Sequence, residues 1–179
     1  MAEIKSTLEL VMERTRNLCM SDEDKLEQAA KEFKEAVNRL CLRYLEGQID
    51  VDGFRQQFGN LNGGPSARAD AAAEIARRID PAGNNGPLLR LIKDGLDGDI
   101  SDFENMLKDF QRRAQAVDAE AVRRIRISLS DKGIGGSAVV PNLDTDKERT
   151  ARFDEMVKAF EEELAGKIEK LRCSTPNSR

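Results

Sequence analysis

Six residues toward the C-terminal end, Asp131-Lys132-Gly133-Ile134-Gly135-Gly136, are the ones whose types and spacing could do chemistry. Glycines in close succession let backbone N–H groups approach an anion, so the run could cradle a phosphate or simply turn the chain. It departs from the best-known phosphate loops. Gly133–Ser137 lacks the terminal Gly-Lys-Ser/Thr that grips phosphates in a P-loop. Pro141 follows where a Rossmann unit needs a helix.

The longer string "VRRIRISLSDKGIGG" resembles the Asp-x-Gly-x-Gly box of the histidine-kinase and gyrase ATPase fold. That resemblance implies an adenine contact at Asp131 and close approach of a nucleotide at Gly133, Gly135 and Gly136. It covers this string alone. The upstream helix with Glu and a magnesium-holding Asn has no counterpart in the preceding segment, and few strands are available. A turn accounts for the glycines more simply. Ile125, Ile127 and Leu129 alternate like a short strand, and "SAVVP" could return antiparallel to it, so a small β-ribbon is expected near 125–141.

No histidine occurs in the 179 residues. That removes Ser-His and Cys-His nucleophile pairs, the Glu-x-x-His motif of di-iron bundles and the usual proton shuttle. Two acidic stretches, "IDVDGF" and "DGLDGDISDFE", approach calcium-loop spacing. The first lacks acids at positions one and twelve, and the second has Asp102 where glycine is needed. Helix capping by Asp50 and Ser101 explains them without metal. Cys19, Cys41 and Cys173 form no Cys-x-x-Cys pair and read as buried or incidental thiols. No catalytic residue, metal ligand or cofactor is assigned.

Arg112, Arg113, Arg123, Arg124 and Arg126 are the densest basic run, with Arg68, Arg77 and Arg78 as another. They could meet RNA phosphates, but no aromatic platform interleaves them and Asp109, Asp118 and Glu120 dilute the field. A solvated, ion-paired helix face is the simpler account. A net charge of -4 and a pI near 5.2 add no general attraction to nucleic acid. Nucleic-acid binding is therefore not expected.

The elements that must position these residues are helical. Aromatic residues make up 4% against 35% charged, a balance that favours long helices over a β-sandwich. Ile4, Leu8, Val11, Met12, Thr15 and Leu18 share one helical face. Ser21 reads as an N-cap, with Asp22, Glu23 and Asp24 in the first turn. Leu26, Ala30, Phe33, Val37, Leu40 and Tyr44 then alternate steps of four and three until Gly47 stops the helix. Phe103, Leu107, Phe110, Ala114, Val117 and Ala121 repeat the stripe, as do Phe153, Val157, Phe160, Leu164, Ile168 and Leu171. Thr145 with Glu148 reads as a capping box for this last helix. Between them, residues 60–99 carry Gly, Asn and Pro clusters and two short helices, one capped by Ser66 and one after Pro87, and read as a loop-rich insertion. "LEGQIDVDGF" and "LDGDISDFEN" echo each other as a helix-to-helix corner used twice.

Matched stripes cannot stay in water alone. The expected fold is all-α: an antiparallel bundle of three to four long helices in a single domain, 1–172, with the insertion at 60–99 and a disordered tail at 173–179. No apolar window is long enough to span a membrane, the start is too charged for a leader, and odd, scattered cysteines fit a cytoplasmic setting. The opening "MAEIKSTLELVMERTRNL" resembles the start of a group of short uncharacterised bacterial helical proteins, which implies a bacterial, cytoplasmic origin and no activity. The leading expectation is a non-catalytic protein that binds a protein partner or itself, through Phe33, Leu40, Tyr44, Phe110, Phe153 and Phe160. A nucleotide-binding enzyme using Asp131–Gly136, or RNA binding through Arg112–Arg126, is the alternative.

Overall fold

A computed structural model describes residues 21–136 and 139–173. The helix expected over Ile4–Leu18 therefore lies outside the described residues, as do Cys19, the Cys173 side chain and most of the tail. Six α-helices make up the described chain, which contains no strand: α1 (Asp22–Leu45), α2 (Val51–Gly59), α3 (Ala67–Ala76), α4 (Gly86–Arg90), α5 (Ser101–Asp131) and α6 (Lys147–Cys173). A π-helical turn over Leu91–Gly95 prolongs α4, and a 3-10 turn over Leu143–Thr145 precedes α6.

The helix boundaries follow local chemistry. Ser21 caps α1 by accepting the Asp24 N–H, while the Asp24 carboxylate accepts the Ser21 N–H, closing a capping box. These bonds hold the Asp24 carboxyl below its ordinary value. At the other end Gly47 adopts φ +72°, its N–H bonding Tyr44 O while Gln48 N–H bonds Arg43 O. That pair of bonds is a Schellman stop, and it needs a left-handed residue where glycine stands. Asp50 caps α2 through the Gly53 N–H.

α5 and α6 run antiparallel. Going up α5, the partners on α6 step down: Asp102 with Lys167, Phe110 with Phe160 and Phe153, Asp118 with Arg149. Burial is uneven along this hairpin. Phe103, Met106, Leu107 and Phe110 are buried on α5, and Phe160, Leu164 and Ile168 on α6. Beyond Phe110, Ala121 is the single buried residue of α5. The distal half is a two-helix arm.

Residues 60–99 differ most from the sequence reading, for they supply much of the core. Ala71, Ala72, Ala73, Ile75 and Ala76 of α3 are all buried, and so are Ile79, Leu88, Leu91, Ile92 and Leu96. α3 packs against both α1 and α6, so the short alanine helix joins the first long helix to the hairpin. The stripe on α3 looked thin because alanine adds little apolar area, yet small residues allow helix axes to approach closely. The π turn sets Gly95 against α2: a Cβ there would stand 3.2 Å from Leu91 Cδ1 and Phe54 Cδ1. Phe54 is fully buried and stacks on Phe58 at 5.9 Å between centroids.

Two local expectations are corrected. Ile125, Ile127 and Leu129 are helical rather than the first strand of a ribbon, because α5 continues to Asp131. Ala121, Ile125 and Leu129 recur every four residues, a spacing a helix satisfies as well as a strand satisfies the alternation. The return strand falls partly on residues 137–138, outside the described residues. At α6, the cap is Asp146, whose Oδ1 accepts the Arg149 N–H at 3.0 Å. Thr145 instead donates to Asn142 O within the 3-10 turn.

Candidate functional site

The glycine box stands at a helix C-terminus. Gly133 adopts φ +75°, with its N–H on Ser130 O, while Ile134 N–H reaches Leu129 O. The geometry repeats the stop at Gly47. Both amides are thus engaged by α5 carbonyls, and the end of the helix dipole exposed there is the negative one. Phosphate loops use the opposite end. Asp131 is exposed, as are Gly133, Gly135 and Gly136.

The arginines spread along helix faces, most of them ion-paired. Arg112 and Arg113 both engage Asp109. Arg124 reaches Asp146 at 3.0 Å, Glu148 at 3.5 Å and Glu120 at 3.9 Å. Arg149, held by Asp118 at 2.8 Å, has its pKa raised further by that bond, and its guanidinium lies 5.2 Å from the Phe153 ring centroid. Arg77 pairs with Glu74, and Arg78 donates to Asn38. Arg123 and Arg126 are exposed on the arm.

The acids of the two calcium-like stretches also have local work. Asp97 sits at φ +55° and binds Arg55 of α2 at 2.7 Å and Arg68 of α3 at 3.1 Å. Asp99 accepts the backbone and hydroxyl of Ser101, which hold its carboxyl below the usual range. The carboxylate that caps this corner is therefore Asp99, with Ser101 as its donor. Among the described residues no cluster of three or more acids or cysteines could hold a metal ion. Cys41 is fully buried, and desolvation raises its pKa.

The expected interface residues prove to be internal. Phe33, Leu40, Phe110 and Phe160 are buried in the chain's own core, and Tyr44 and Phe153 pack half-buried against it. Heptad stripes look alike whether they face the same chain or another. Large apolar side chains left in water lie elsewhere: Leu26, Leu42 and Leu45 on α1, and three more on the arm. Val140 is 87% exposed, Ile127 63% and Ile134 49%, all at the end of the arm. There Leu129, Ile134 and Val139 line a hollow of ≈ 290 Å³ with Arg126 at its edge. Periodicity alone could have flagged Ile127, which falls off the Ala121–Ile125–Leu129 row once the segment is read as helix.

No family model, curated protein or solved structure matches the chain. Among the described residues no helix is long and apolar enough to cross a membrane.

Proposed function

We propose that the protein acts through protein–protein contact rather than catalysis, and that its arm self-associates in the cytoplasm. The observation that carries this reading is the apolar end of the arm, where Ile127, Ile134 and Val140 remain in water. The hollow lined by Leu129, Ile134 and Val139 adds apolar surface there that a partner would cover. A two-helix arm covers its own seam poorly, and pairing with a second arm would bury the remainder. On this reading the antiparallel helices form one domain over 1–172. The lack of histidine and the engaged amides at Gly133 support a non-catalytic role.

Light scattering across a concentration series tests it. Self-association that disappears in Ile134→Asp/Val140→Asp, with helicity retained, supports the reading. A chain that stays monomeric at every concentration overturns it. The nucleotide alternative is tested by thermal shift: ligand at a hundred times its Kd adds about 2.7 kcal/mol of stability. A shift with ATP and magnesium that is lost in Asp131→Asn would favour that reading instead.

A further inference from the structure

The charges of α5 change character at Arg123. From Asp102 to Glu120 every charged side chain is ion-paired, within the helix or to α6. Farther along, Arg124 is held by Asp146, but Arg123, Arg126 and Asp131 are exposed and have no side-chain partner among the described residues. Asp131 is also badly placed for its own helix. It ends α5, whose last turn carries no basic residue, so its carboxylate stands at the negative end of the helix dipole without compensation. Ile127, 63% exposed, lies midway between Arg123 and Asp131. The three follow at four-residue steps and form one ridge of the helix, an apolar residue with opposite charges one turn to either side. Arg126 stands about 100° round the helix from Ile127, off this ridge.

We propose that two arms pair with this ridge antiparallel to its copy, Ile127 against the partner's Ile127 and Arg123 against the partner's Asp131. The proposal rests on the reading that the arm self-associates, and gives that contact its direction and register. Charge selects a second copy as the occupant. Turned end for end, the ridge matches itself: two Arg–Asp pairs flank one apolar contact, and each Asp131 receives the cation that its own helix end lacks. A parallel arrangement would set arginine on arginine and aspartate on aspartate, so it is disfavoured. The antiparallel contact is isologous and closes at two copies. Ser128 and Ser130 beside Ile127 add little bulk to hold the ridges apart. Ser130 also lines the apolar hollow with Ile134, so the hollow adjoins the C-terminal end of the ridge and the same approach covers it.

Light scattering of the full chain in dilute salt, over a concentration series, reads the pairing. Arg123→Asp and Asp131→Arg each turn two attractive contacts per dimer into repulsive ones, and each weakens association by about tenfold. An equimolar mixture of the two variants restores the association of the parent, and so does the double variant Arg123→Asp/Asp131→Arg. The differences shrink in about 1 M salt, which screens exposed charges. Asp131→Arg places a cation at the helix end that favours one, so its weaker association does not come from fraying of α5. Single variants that associate as the parent does overturn the pairing, and so does a mixture no tighter than its components. If association is still lost in Ile134→Asp/Val140→Asp, the arm reading survives either result. A parent chain that stays monomeric overturns both.

Discussion

Asp146 and Arg124 meet across the α5–α6 connection with Oδ2 and Nη2 3.0 Å apart, while the other oxygen of the same carboxylate caps α6 through the Arg149 N–H. One side chain therefore starts a helix and ties it to its antiparallel neighbour. The sequence suggested a cap one residue earlier, at Thr145, since Thr-x-x-Glu fits the capping-box pattern. The competing Asp146 could be chosen only once Arg124 was known to stand beside it, a contact 22 residues away in sequence.

This pairing sets a pH dependence. The Arg149 N–H holds the Asp146 carboxyl below its usual value of 3.8; desolvation opposes it, and Arg124 adds to the lowering. A depressed carboxyl contributes its stability above the unfolded value and loses it as pH falls through the folded value. The contribution is thus full at neutral pH and fades below about pH 3.8. Urea titrations between neutral pH and pH 3 check this: the parent loses more stability in that range than Asp146→Asn, which is already weaker at pH 7.

Phe54→Ala removes a fully buried ring that stacks on Phe58 and rests against Gly95. The expected loss is about 3–5 kcal/mol, read from the shift in denaturation midpoint.

Gly95→Ala probes the same contact from the opposite side. The added methyl would meet Phe54 and Leu91 at 3.2 Å, closer than comfortable packing. Overpacking of this kind costs about 1–3 kcal/mol. Differential scanning calorimetry should show a lower Tm, with the π turn more exposed to hydrogen exchange.

Gly133→Ala and Gly135→Ala separate a helix stop from a ligand loop. The left-handed backbone at Gly133 costs an alanine about 1–2 kcal/mol, whereas Gly135 carries no such φ and has open space around it. Gly133→Ala should loosen the arm in hydrogen exchange, and Gly135→Ala should leave it unchanged. Equal effects from both would point back to a ligand contact along the run.

The long helices were legible because Phe33, Val37 and Leu40, or Phe103, Leu107 and Phe110, are large and regularly spaced. Their caps were legible where the partner lies within three residues, as at Ser21 and Asp50. The two short helices of residues 60–99 were legible from Ser66 and Pro87, but their burial was not, since four buried alanines carry little of the signal that periodicity measures. The glycine box was legible as a turn, but not as the stop of α5. Recognising a stop requires knowing that the helix reaches Asp131, and Ile125, Ile127 and Leu129 fit two periods at once. The candidate interface was the least legible feature, since a stripe states that it must be covered and not by whom.

The enclosure of α3 has a consequence for entropy. Ala71, Ala72, Ala73 and Ala76 have no side-chain rotamers to freeze, so apart from Ile75 the buried face of this helix is immobilised at little cost beyond its backbone. The loss of side-chain freedom on folding falls instead on the phenylalanines, leucines and methionine buried elsewhere in the same core. The segment most thoroughly walled in is the one whose side chains give up least to be there.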